Sequence, residues 1–312
     1  MRRTCLDKVY DLAQRDERVV FIGSDLGAGV LDDMKRNIPD RFFMEGVAEQ
    51  NLVGMAAGLA MEGLIPYVNT IATFLTRRCF EQVAIDLCLH DLPVRLIANG
   101  GGVVYAPLGP THLAIEDIAI MRALPNMTIV APADADEMAR FMDQTLDWPH
   151  PIYIRLAKGG DPIVTRAEDG FDIGKAIMLR SPGDILIVAT GIAVGRSLEA
   201  ATELAENGID CAVMNMHTIK PLDESALLEA AERSRLVVTV EEHLRAGGLG
   251  SAVLECLNDC SLLASPRVLR LGIDDAFPTE YGTQDTQLDT LGLQPPGIVS
   301  SIRRAVGAAE AA

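Results

Sequence analysis

The sequence has 312 residues, of which 49% are hydrophobic, and its mean hydropathy is +0.20. A chain of this length and composition can bury a large core and is expected to form roughly two domains. The net charge is -17 and the isoelectric point is about 4.7, so the long-range field would repel nucleic acid and anionic membranes. These properties favour an enzyme that acts on small molecules.

The amino-terminal segment, MRRTCLDKVYDLAQRDE, is charged throughout and lacks the continuous apolar core of a signal peptide. The longest uncharged stretch, 96–115, is interrupted by glycines and prolines, so it cannot form a membrane-spanning helix. We therefore expect a cytoplasmic protein without a membrane or nucleic-acid partner.

The first half of the chain alternates short apolar strands with helices. Strands are predicted at 19–22, 65–69, 93–98, 127–131 and 152–155, and helices at 4–15, from residue 49, at 73–90, at 115–123 and from residue 134. Such alternation indicates a mostly parallel sheet covered by helices on both faces. The first strand runs into the glycine-rich turn GSDLGAG, and parallel sheets place ligands at such turns.

Periodicity weakens at 158–183, which is rich in glycine, proline and charge, and then restarts. Strands are predicted at 185–189, 211–215, 236–240 and 267–272, and helices at 192–207, at 223–233, after 247–251 and at 297–308. The predicted fold class is α/β, with two domains that are each a mostly parallel sheet flanked by helices. We predict the first domain at 1–165, a linker at 166–184 and the second domain at 185–312.

Six cysteines lie mostly within apolar helix or strand patterns, and only Cys256 and Cys260 are close in sequence. A CxxxC pair with no second pair or nearby histidine is weak evidence for a metal, so buried free thiols are favoured. We predict no metal site in this chain.

One carboxylate, Glu49, stands at the start of an otherwise apolar predicted helix within 41–63. Small residues at Gly54, Ala57 and Gly58 would let another element pack very close to this helix. Glu49 is either an acid that the helix dipole favours in the first turn or a functional group. The helix itself is expected to be buried on most sides.

Four stretches are expected at the carboxyl ends of the first domain's strands, namely 24–26, Glu49, 73–74 and 109–112. The pattern G-V-x-E-x-x-x-x-G-x-A-x-G-x-A at 46–60, with GPTH at 109–112, resembles the pyrimidine-binding half of the transketolase family of thiamine diphosphate enzymes. The resemblance implies the pyrimidine-binding thiamine diphosphate fold for the first domain.

The second domain resembles the transketolase carboxyl-terminal domain, which deoxyxylulose-phosphate synthases and the β subunits of 2-oxoacid dehydrogenases also carry. The matching stretches are MHTIKPLD at 216–223 and VVTVEEHLRAGGLGSAV at 237–253. The family role of this domain lies in assembly more than in chemistry. His217 and His243 are therefore expected to be structural, with catalysis as the less favoured alternative.

The resemblance implies a cofactor site for thiamine diphosphate. Glu49 matches the glutamate that hydrogen-bonds N1′ of the aminopyrimidine, favouring the imino tautomer whose nitrogen takes the proton from C2 of the thiazolium ring. Phe74 matches the aromatic residue that stacks on the pyrimidine. Asp25 and Leu26 match a turn that contacts the cofactor.

The resemblance also implies substrate contacts. His112 matches the histidine of GPTH, which lies near the thiazolium and the substrate oxygens, so it is a predicted catalytic and substrate-binding residue. Arg155 aligns with an arginine that binds the anionic end of the substrate, although pairing with a carboxylate of the protein is an equally good interpretation. Leu108 stands where sugar-phosphate transketolases carry an acid that touches a substrate hydroxyl. The glycines at 100–102 stand where the family has a phosphate-contacting histidine, so selectivity is expected to differ.

The chain lacks the magnesium motif of the family, which begins Gly-Asp-Gly and supplies oxygen ligands for the cation that holds the diphosphate. Gly-Asp occurs only at 160–161 and 183–184, where proline and isoleucine follow. The resemblance therefore implies that Mg²⁺ is held by a partner, the diphosphate-binding amino-terminal subunit, in an α2β2 heterotetramer.

These observations predict the carboxyl-terminal subunit of a two-component transketolase. It would move a two-carbon ketol unit from a ketose donor to an aldehyde acceptor, with sugars as substrates, through a thiamine diphosphate carbanion. The alternatives are a 2-oxoacid dehydrogenase β subunit, an enzyme like deoxyxylulose-phosphate synthase, and a regulatory partner without catalysis. Glu49, Phe74 and His112 occur together, which disfavours the last alternative.

Overall fold

The computed structural model describes residues 1–24, 29–260 and 266–310, whose strands form two sheets. The strands of these residues are β1 Val19–Gly23, β2 Phe42–Met44, β3 Ile65–Ile71, β4 Arg95–Asn99, β5 Thr128–Val130, β6 Ile152–Leu156, β7 Ile177–Arg180, β8 Ile185–Ala189, β9 Cys211–Asn215, β10 Thr218–Lys220, β11 Leu236–Leu244 and β12 Arg267–Ile273.

Helices cover both sheets. They are α1 Arg2–Arg15, α2 Asp32–Asn37, α3 Glu49–Met61, α4 Ala72–Thr76, α5 Phe80–Gln82, α6 Asp117–Arg122, α7 Ala135–Gln144, α8 Ala193–Ala205, α9 Glu224–Glu232, α10 Leu249–Asp259, α11 Gln284–Thr290 and α12 Pro295–Glu310. A π-helix, Val83–Leu89, continues α5, and 3-10 helices occupy Pro39–Arg41, Ala106–Leu108, Pro110–His112 and Ala167–Asp169.

The first sheet has the strand order β2-β1-β3-β4-β6-β5-β10, and its neighbouring strands are parallel except for β5 and β10. The second sheet has the order β7-β9-β8-β11-β12, and its neighbours are parallel except for β7 and β9. Central strands such as β3, β4 and β8 are buried along their whole length, as expected for strands covered on both faces. The predicted α/β fold with two mostly parallel sheets is confirmed.

Two short strands belong to sheets that the predicted domain boundaries did not assign to them. β7 lies within the predicted linker, 166–184, and pairs antiparallel with β9 as an edge strand of the second sheet. β10 lies within the predicted second domain, but it pairs antiparallel with β5 at the edge of the first sheet. Strands of three or four residues are too short to show a period of two, so the sequence pattern could not reveal them.

The predicted helix at 73–90 is interrupted, so the prediction of one continuous helix is wrong. α4 ends at Thr76, the backbone of Cys79 leaves the helical region (φ -119°, ψ 15°), and α5 then widens into the π-helix. Apolar spacing continues through the break, which explains why the sequence shows one pattern. As described below, the break is associated with two consecutive arginines that reach in different directions.

The hydrophobic core continues from one sheet to the other. One cluster runs from α1 and α7 on one face of the first sheet to β8, α8 and α12 of the second domain. A second cluster lies on the other face of the first sheet, beneath α3 and the π-helix. The candidate site described below lies at the edge of this second cluster, because α3 and α4 carry its side chains.

None of the helices in the described residues is both long enough and apolar enough to cross a membrane. The predicted cytoplasmic location stays a prediction.

Candidate active site

The candidate site lies after three strands of the first sheet. Glu49 begins α3 shortly after β2, Phe74 lies in α4 directly after β3, and the loop ending at His112 follows β4. The carboxyl ends of parallel strands meet at one edge of a sheet, which explains why these distant segments converge. Asp25 and Leu26, which follow β1, lie outside the described residues, so their predicted contacts with a cofactor stay predictions.

Glu49 is a buried carboxylate that is only half satisfied. Its side chain is 2% exposed, and Oε2 accepts a hydrogen bond of 2.9 Å from Nη1 of Arg78. Oε1 is buried and has no hydrogen-bond partner among the described residues, and the same is true of Oγ1 of Thr73. An unpartnered buried polar atom costs about 1–3 kcal/mol. A helix-dipole role would not require this burial, so the geometry favours Glu49 as a functional group.

The guanidinium of Arg78 lies between Glu49 and Phe74. Its Cζ atom is 3.8 Å from the centroid of the Phe74 ring, a distance typical of a cation–π contact. The same group donates the hydrogen bond to Glu49, although 43% of the Arg78 side chain stays exposed. The sequence analysis did not single out Arg78, because an arginine within a predicted helix carries no distinctive pattern.

His112 contacts the other side of this group. Its ring meets the half-buried ring of Phe74 edge-on, with centroids 5.4 Å apart and an interplanar angle of 62°. Nδ1 of His112 lies 2.8 Å from Oγ1 of Thr111. The structure therefore brings Glu49, Phe74 and His112 together, with Arg78 between the first two.

The neighbouring Arg77 fastens the His112 loop to α4. Its Nη2 atom donates hydrogen bonds to the carbonyl oxygen of Leu113 at 2.6 Å and to Oε2 of Glu116 at 2.9 Å, and its Nε donates to Oε1 of Glu116. After the helix break at Thr76, the two arginines therefore point in different directions. Arg77 binds the loop, and Arg78 binds Glu49 in the site.

Two buried side chains of the second domain hydrogen-bond the backbone of the first domain, one in this loop and one in α6. Oε1 of the buried Glu242 accepts a hydrogen bond of 2.7 Å from the backbone N–H of Val103. Nε2 of His243 accepts a hydrogen bond of 3.2 Å from the N–H of Ala119, so its Nδ1 carries the proton that it donates to the carbonyl of Leu244, 2.7 Å away. Both ring nitrogens are thus occupied within the fold, and the favoured structural interpretation of His243 agrees with this geometry.

His217 also lies in the interior rather than in the site. Its ring stacks on Phe171 with centroids 4.0 Å apart, and Nδ1 lies 2.9 Å from Oγ1 of Thr218. Burial, together with the charge of Arg140, lowers the pKa of His217 to about 3. The ring is therefore neutral at physiological pH, which also agrees with a structural role.

Two exposed aromatic side chains of the second domain reach the mouth of the site, which the sequence analysis missed. The Tyr281 ring lies 2.9 Å from where a Cβ at Gly109 would stand, and the guanidinium of Arg77 is 6.0 Å from the Phe277 ring. Phe277 is 62% exposed and Tyr281 72% exposed. The second domain therefore borders the GPTH loop.

The guanidinium of Arg155 is buried and is paired within the protein. Its Nε donates to Oδ2 of the fully buried Asp117 at 2.7 Å, and its Nη2 donates to Oδ1 of Asp117 at 3.1 Å and to the carbonyl oxygens of Ala114 and Glu242. The ion pair with a carboxylate, which the sequence left open as an alternative, is therefore present, and the predicted substrate role of Arg155 stays a prediction. Burial acts to lower the pKa of Arg155, but the charge and hydrogen bonds of Asp117, together with the charge of Glu242, outweigh it, so the pKa is raised.

The loop at 100–102 is glycine-rich because larger residues already fill the space beside it. A Cβ at Gly101 would lie 2.7 Å from the Arg155 side chain, and a Cβ at Gly102 would lie 2.5 Å from Glu242. A histidine could not stand at either position without displacing a buried charged group. Leu108, farther along the same loop, is 53% exposed, and its predicted influence on selectivity stays a prediction.

The cysteines are free thiols, and all except the exposed Cys260 are buried. The sequence analysis missed that Glu224 lies beside the CxxxC pair, so that one ligand atom from each of Glu224, Cys256 and Cys260 lies within 4.8 Å of the others. This group offers three ligands, one fewer than a closed structural zinc site uses. The absence of a metal site in this chain stays a prediction.

Comparisons with known proteins agree on one family. A family model described as the transketolase pyrimidine binding domain matches residues 1–160, and one described as the transketolase C-terminal domain matches residues 174–298. A 6-deoxy-6-sulfo-D-fructose transketolase subunit, SqwH of Clostridium sp. strain MSTE9, is 38% identical over 96% of this chain and 92% of its own length.

Longer proteins also match. A 1-deoxy-D-xylulose-5-phosphate synthase of Gloeobacter violaceus is 44% identical over 95% of this chain, which spans about half of that synthase (46%). A solved structure described as a split gene transketolase, inactive beta4 tetramer, is 36% identical with a TM-score of 0.88, covering 98% of this chain and 97% of that one. The similarity therefore extends over both domains.

Proposed function

The chain belongs to the transketolase family, and on that basis we propose that it is the carboxyl-terminal subunit of a two-component transketolase. With a diphosphate-binding partner, it transfers a two-carbon ketol unit from a ketose donor to an aldehyde acceptor. Thiamine diphosphate supplies the electron sink for this chemistry when it is bound. The partner holds Mg²⁺, and the proposed assembly is an α2β2 heterotetramer.

The observation that carries the proposal is the half-satisfied carboxylate of Glu49 beside the face of Phe74. Oε1 of Glu49 is a buried acceptor without a partner in the described residues, and the aromatic face of Phe74 lies on the other side of the Arg78 guanidinium. An aminopyrimidine needs these two features, an acceptor for a ring N–H and a flat apolar face. The residues of this chain therefore fit the pyrimidine end of thiamine diphosphate.

The same residues provide little for the diphosphate end. The carboxylate of Asp184, in one of the two Gly-Asp pairs, receives a hydrogen bond of 2.6 Å from Nε of Arg235. That of Asp161, in the other pair, accepts a hydrogen bond from the N–H of Gly159. Neither Gly-Asp pair is followed by the glycine of the magnesium motif. This supports a partner that supplies the cation and its ligands.

Within the proposed mechanism, Glu49 holds a proton on the pyrimidine nitrogen and so acts as an acid–base group in a site from which water is excluded. Its burial in the first turn of α3 fixes the carboxylate, and Phe74 orients the ring that stacks on it. The hydrogen bonds of Arg77 to the segment that follows His112 keep His112 against Phe74. In this position His112 can hydrogen-bond a substrate oxygen. Asp25 and Leu26 are proposed as further cofactor contacts.

A partner can approach α3 closely on its outer face. A Cβ built at Gly54 or at Gly58 would meet no atom within 4 Å, so the helix backbone is open there. Met61 on the same helix is 56% exposed, and Ile85 and Leu89 of the π-helix, which packs against α3, are 44% and 67% exposed. Glycine at this spacing lets a second helix pack against the backbone, and apolar neighbours gain from burial. Because Glu49 begins the same helix, a partner on this face would lie beside the site.

The substrate class is proposed from Leu108 and from the relatives. An apolar residue at Leu108 gives no partner for a substrate hydroxyl, and one relative is named for a sulfonated fructose, which differs in charge from a sugar phosphate. We propose a ketose whose anionic end is not the usual phosphate, or one with fewer hydroxyls. A deoxyxylulose-phosphate-synthase-like reaction is the second candidate, because that synthase shows 44% identity.

The proposal is tested by reconstitution with a diphosphate-binding subunit. Calorimetry should show no tight Mg²⁺-dependent binding of thiamine diphosphate to this chain alone and clear binding to the complex. The complex should then transfer a ketol unit from xylulose 5-phosphate or 6-deoxy-6-sulfofructose to an aldehyde. Tight Mg²⁺-dependent binding by the chain alone would overturn the two-component assignment, and turnover of pyruvate with an aldehyde acceptor would favour the second candidate.

A further inference from the structure

Arg78 lies where a cofactor ring would stack on Phe74. Its guanidinium covers the Phe74 ring at 3.8 Å and donates a hydrogen bond of 2.9 Å to Oε2 of Glu49. The pyrimidine ring would stack on the same Phe74 face and would donate its N–H to the other carboxylate oxygen of Glu49, Oε1, which has no partner in the described residues. A planar ring stacked on this face of Phe74 and the guanidinium cannot occupy the same space, since both would lie about 3.5–4 Å above the ring.

We propose that in the free chain Arg78 occupies the position that the pyrimidine ring of the cofactor would take, and that Arg78 must leave this position when the cofactor binds. The inference rests on the proposed function, because it takes the pyrimidine as the second occupant of the site. Arg78 is suited to this task because a guanidinium is planar and always charged, so it stacks on an aromatic face and pairs with a carboxylate at once. It therefore contacts the same two side chains as an aminopyrimidine would, through Oε2 of Glu49 rather than Oε1.

The exposure of Arg78 gives its side chain a way out of the site into solvent. The Arg78 side chain is 43% exposed, whereas Glu49 is 2% exposed, so the arginine can turn into solvent while the carboxylate stays in place. Arg78 follows the end of α4 and precedes the non-helical residue Cys79, so no regular helix continues through this point. The adjacent Arg77 is bound to Glu116 and Leu113 and keeps the segment anchored while Arg78 moves.

This arrangement also protects the carboxylate before the cofactor arrives. Without Arg78, both oxygens of a buried carboxylate would lack a counter-charge, which is unfavourable in an apolar environment. With Arg78 in place, only Oε1 stays unpartnered in the described residues. The cofactor must then compete with an internal cation, so its apparent affinity is lower than the site could provide.

The test compares Arg78 variants in the full chain, alone and with the diphosphate-binding subunit. The first probe is the hydroxymethylpyrimidine fragment of thiamine, which lacks the diphosphate and so does not depend on the partner's Mg²⁺. We expect Arg78→Ala to bind the fragment on the order of tenfold more tightly than wild type, the size expected when a cation–π contact and a partly exposed ion pair no longer compete. Calorimetry of thiamine diphosphate binding to the complex should show the same direction.

Two further variants make the result specific. Arg78→Lys keeps a charge for Glu49 but has no planar group for Phe74, so its fragment affinity should fall between those of wild type and Arg78→Ala. Arg233→Ala removes an arginine from an exposed ion pair with Glu229 in the second domain and should bind as wild type does. Thermal unfolding of each variant shows whether the fold is intact, and Arg78→Lys serves if Arg78→Ala is unstable.

The outcomes separate this inference from the proposed function. If Arg78→Ala and Arg78→Lys bind the fragment and the cofactor less tightly than wild type, Arg78 assists binding and the inference is overturned, while the proposed function stands. If the wild-type complex binds no thiamine diphosphate and transfers no ketol unit, the proposed function fails first. Tighter binding by the Arg78 variants with an unchanged Arg233→Ala control supports the inference.

Discussion

Arg155 and Asp117 form a buried ion pair in which Nε of the arginine lies 2.7 Å from Oδ2 of the carboxylate. The pair joins the end of β6 to α6, and Nη2 of Arg155 continues to the backbone carbonyl of Glu242 in the second domain. Burial acts to raise the pKa of Asp117, but the charge and hydrogen bonds of Arg155 outweigh it, so the pKa is lowered. The pair therefore supports the loop that carries the site and connects the two domains.

This relationship gives the first prediction. Arg155→Met should lower the free energy of unfolding by about 3–5 kcal/mol, because it leaves the buried Asp117 charge without its partner. Urea unfolding of the full chain measures the change, and the double variant Arg155→Met with Asp117→Leu should recover part of the loss. A large increase in KM for an anionic substrate with no loss of stability would instead return Arg155 to the substrate site.

The second prediction concerns Glu49. Glu49→Gln keeps the shape and a hydrogen bond but loses the group that holds a proton, so exchange of the thiazolium C2 proton in the reconstituted complex should slow by about a hundredfold or more. Folding should be nearly unchanged. Deuterium exchange followed by NMR measures the rate, and Glu62→Gln, at the exposed opposite end of α3, is the matched control. Normal exchange in the Glu49→Gln complex would make this residue a helix-end acid only.

The third prediction concerns Leu108, which is 53% exposed on the site loop. Leu108→Asp supplies a hydrogen-bond acceptor for a substrate hydroxyl, so kcat/KM for xylulose 5-phosphate should rise by about tenfold, the lower part of the range for restoring a polar partner. The comparison substrates are short ketoses and 6-deoxy-6-sulfofructose, with Leu108→Asn as a neutral control. No gain in the Asp variant, together with a wild-type preference for ordinary sugar phosphates, would show that this position does not set selectivity.

The fourth prediction concerns Glu137, a buried carboxyl of α7. Its Oε2 accepts a hydrogen bond from the N–H of Ala133, and its Oε1 accepts one of 2.7 Å from Nδ2 of Asn215 in the second sheet. Burial raises the pKa of Glu137 from 4.5 to about 7. Its contribution to stability is therefore fully present below about pH 4.5 and is lost as the pH rises through about 7.

Glu137→Gln should remove this pH dependence. Oδ1 of Asn215 is buried and unpartnered in the described residues, so an amide flip would let it accept a hydrogen bond from the new glutamine. The variant should equal wild type at about pH 4 and be more stable by up to about 3 kcal/mol at pH 8, since each pKa unit corresponds to about 1.4 kcal/mol. Urea unfolding across this range measures it, and parallel stability curves for the two proteins would contradict the assignment.

Much of the fold followed from the sequence alone. Apolar strands that alternate with helices specify parallel sheets because the pattern is local, and the bounds of β8 and β9 agree with the predicted strands to the residue. The motif around Glu49 and GPTH likewise indicated the family and the helix that carries the carboxylate. These features depend on residues close together in the chain, where side-chain periodicity and backbone preference are readable.

Only the tertiary structure showed which partner each of two arginines meets within the protein. Arg155 and Arg78 are both arginines at the ends of regular elements, and no local pattern distinguishes them. Arg155 is held by Asp117 from another segment, whereas Arg78 reaches Glu49, which is 29 residues away in the sequence. The short edge strands β7 and β10 were missed because three or four residues cannot show a period of two, and only their pairing with β9 and β5 identifies them. The energy of a long-range pair depends on burial and on the partner that the fold brings within reach. It therefore cannot be predicted from any single segment of the sequence.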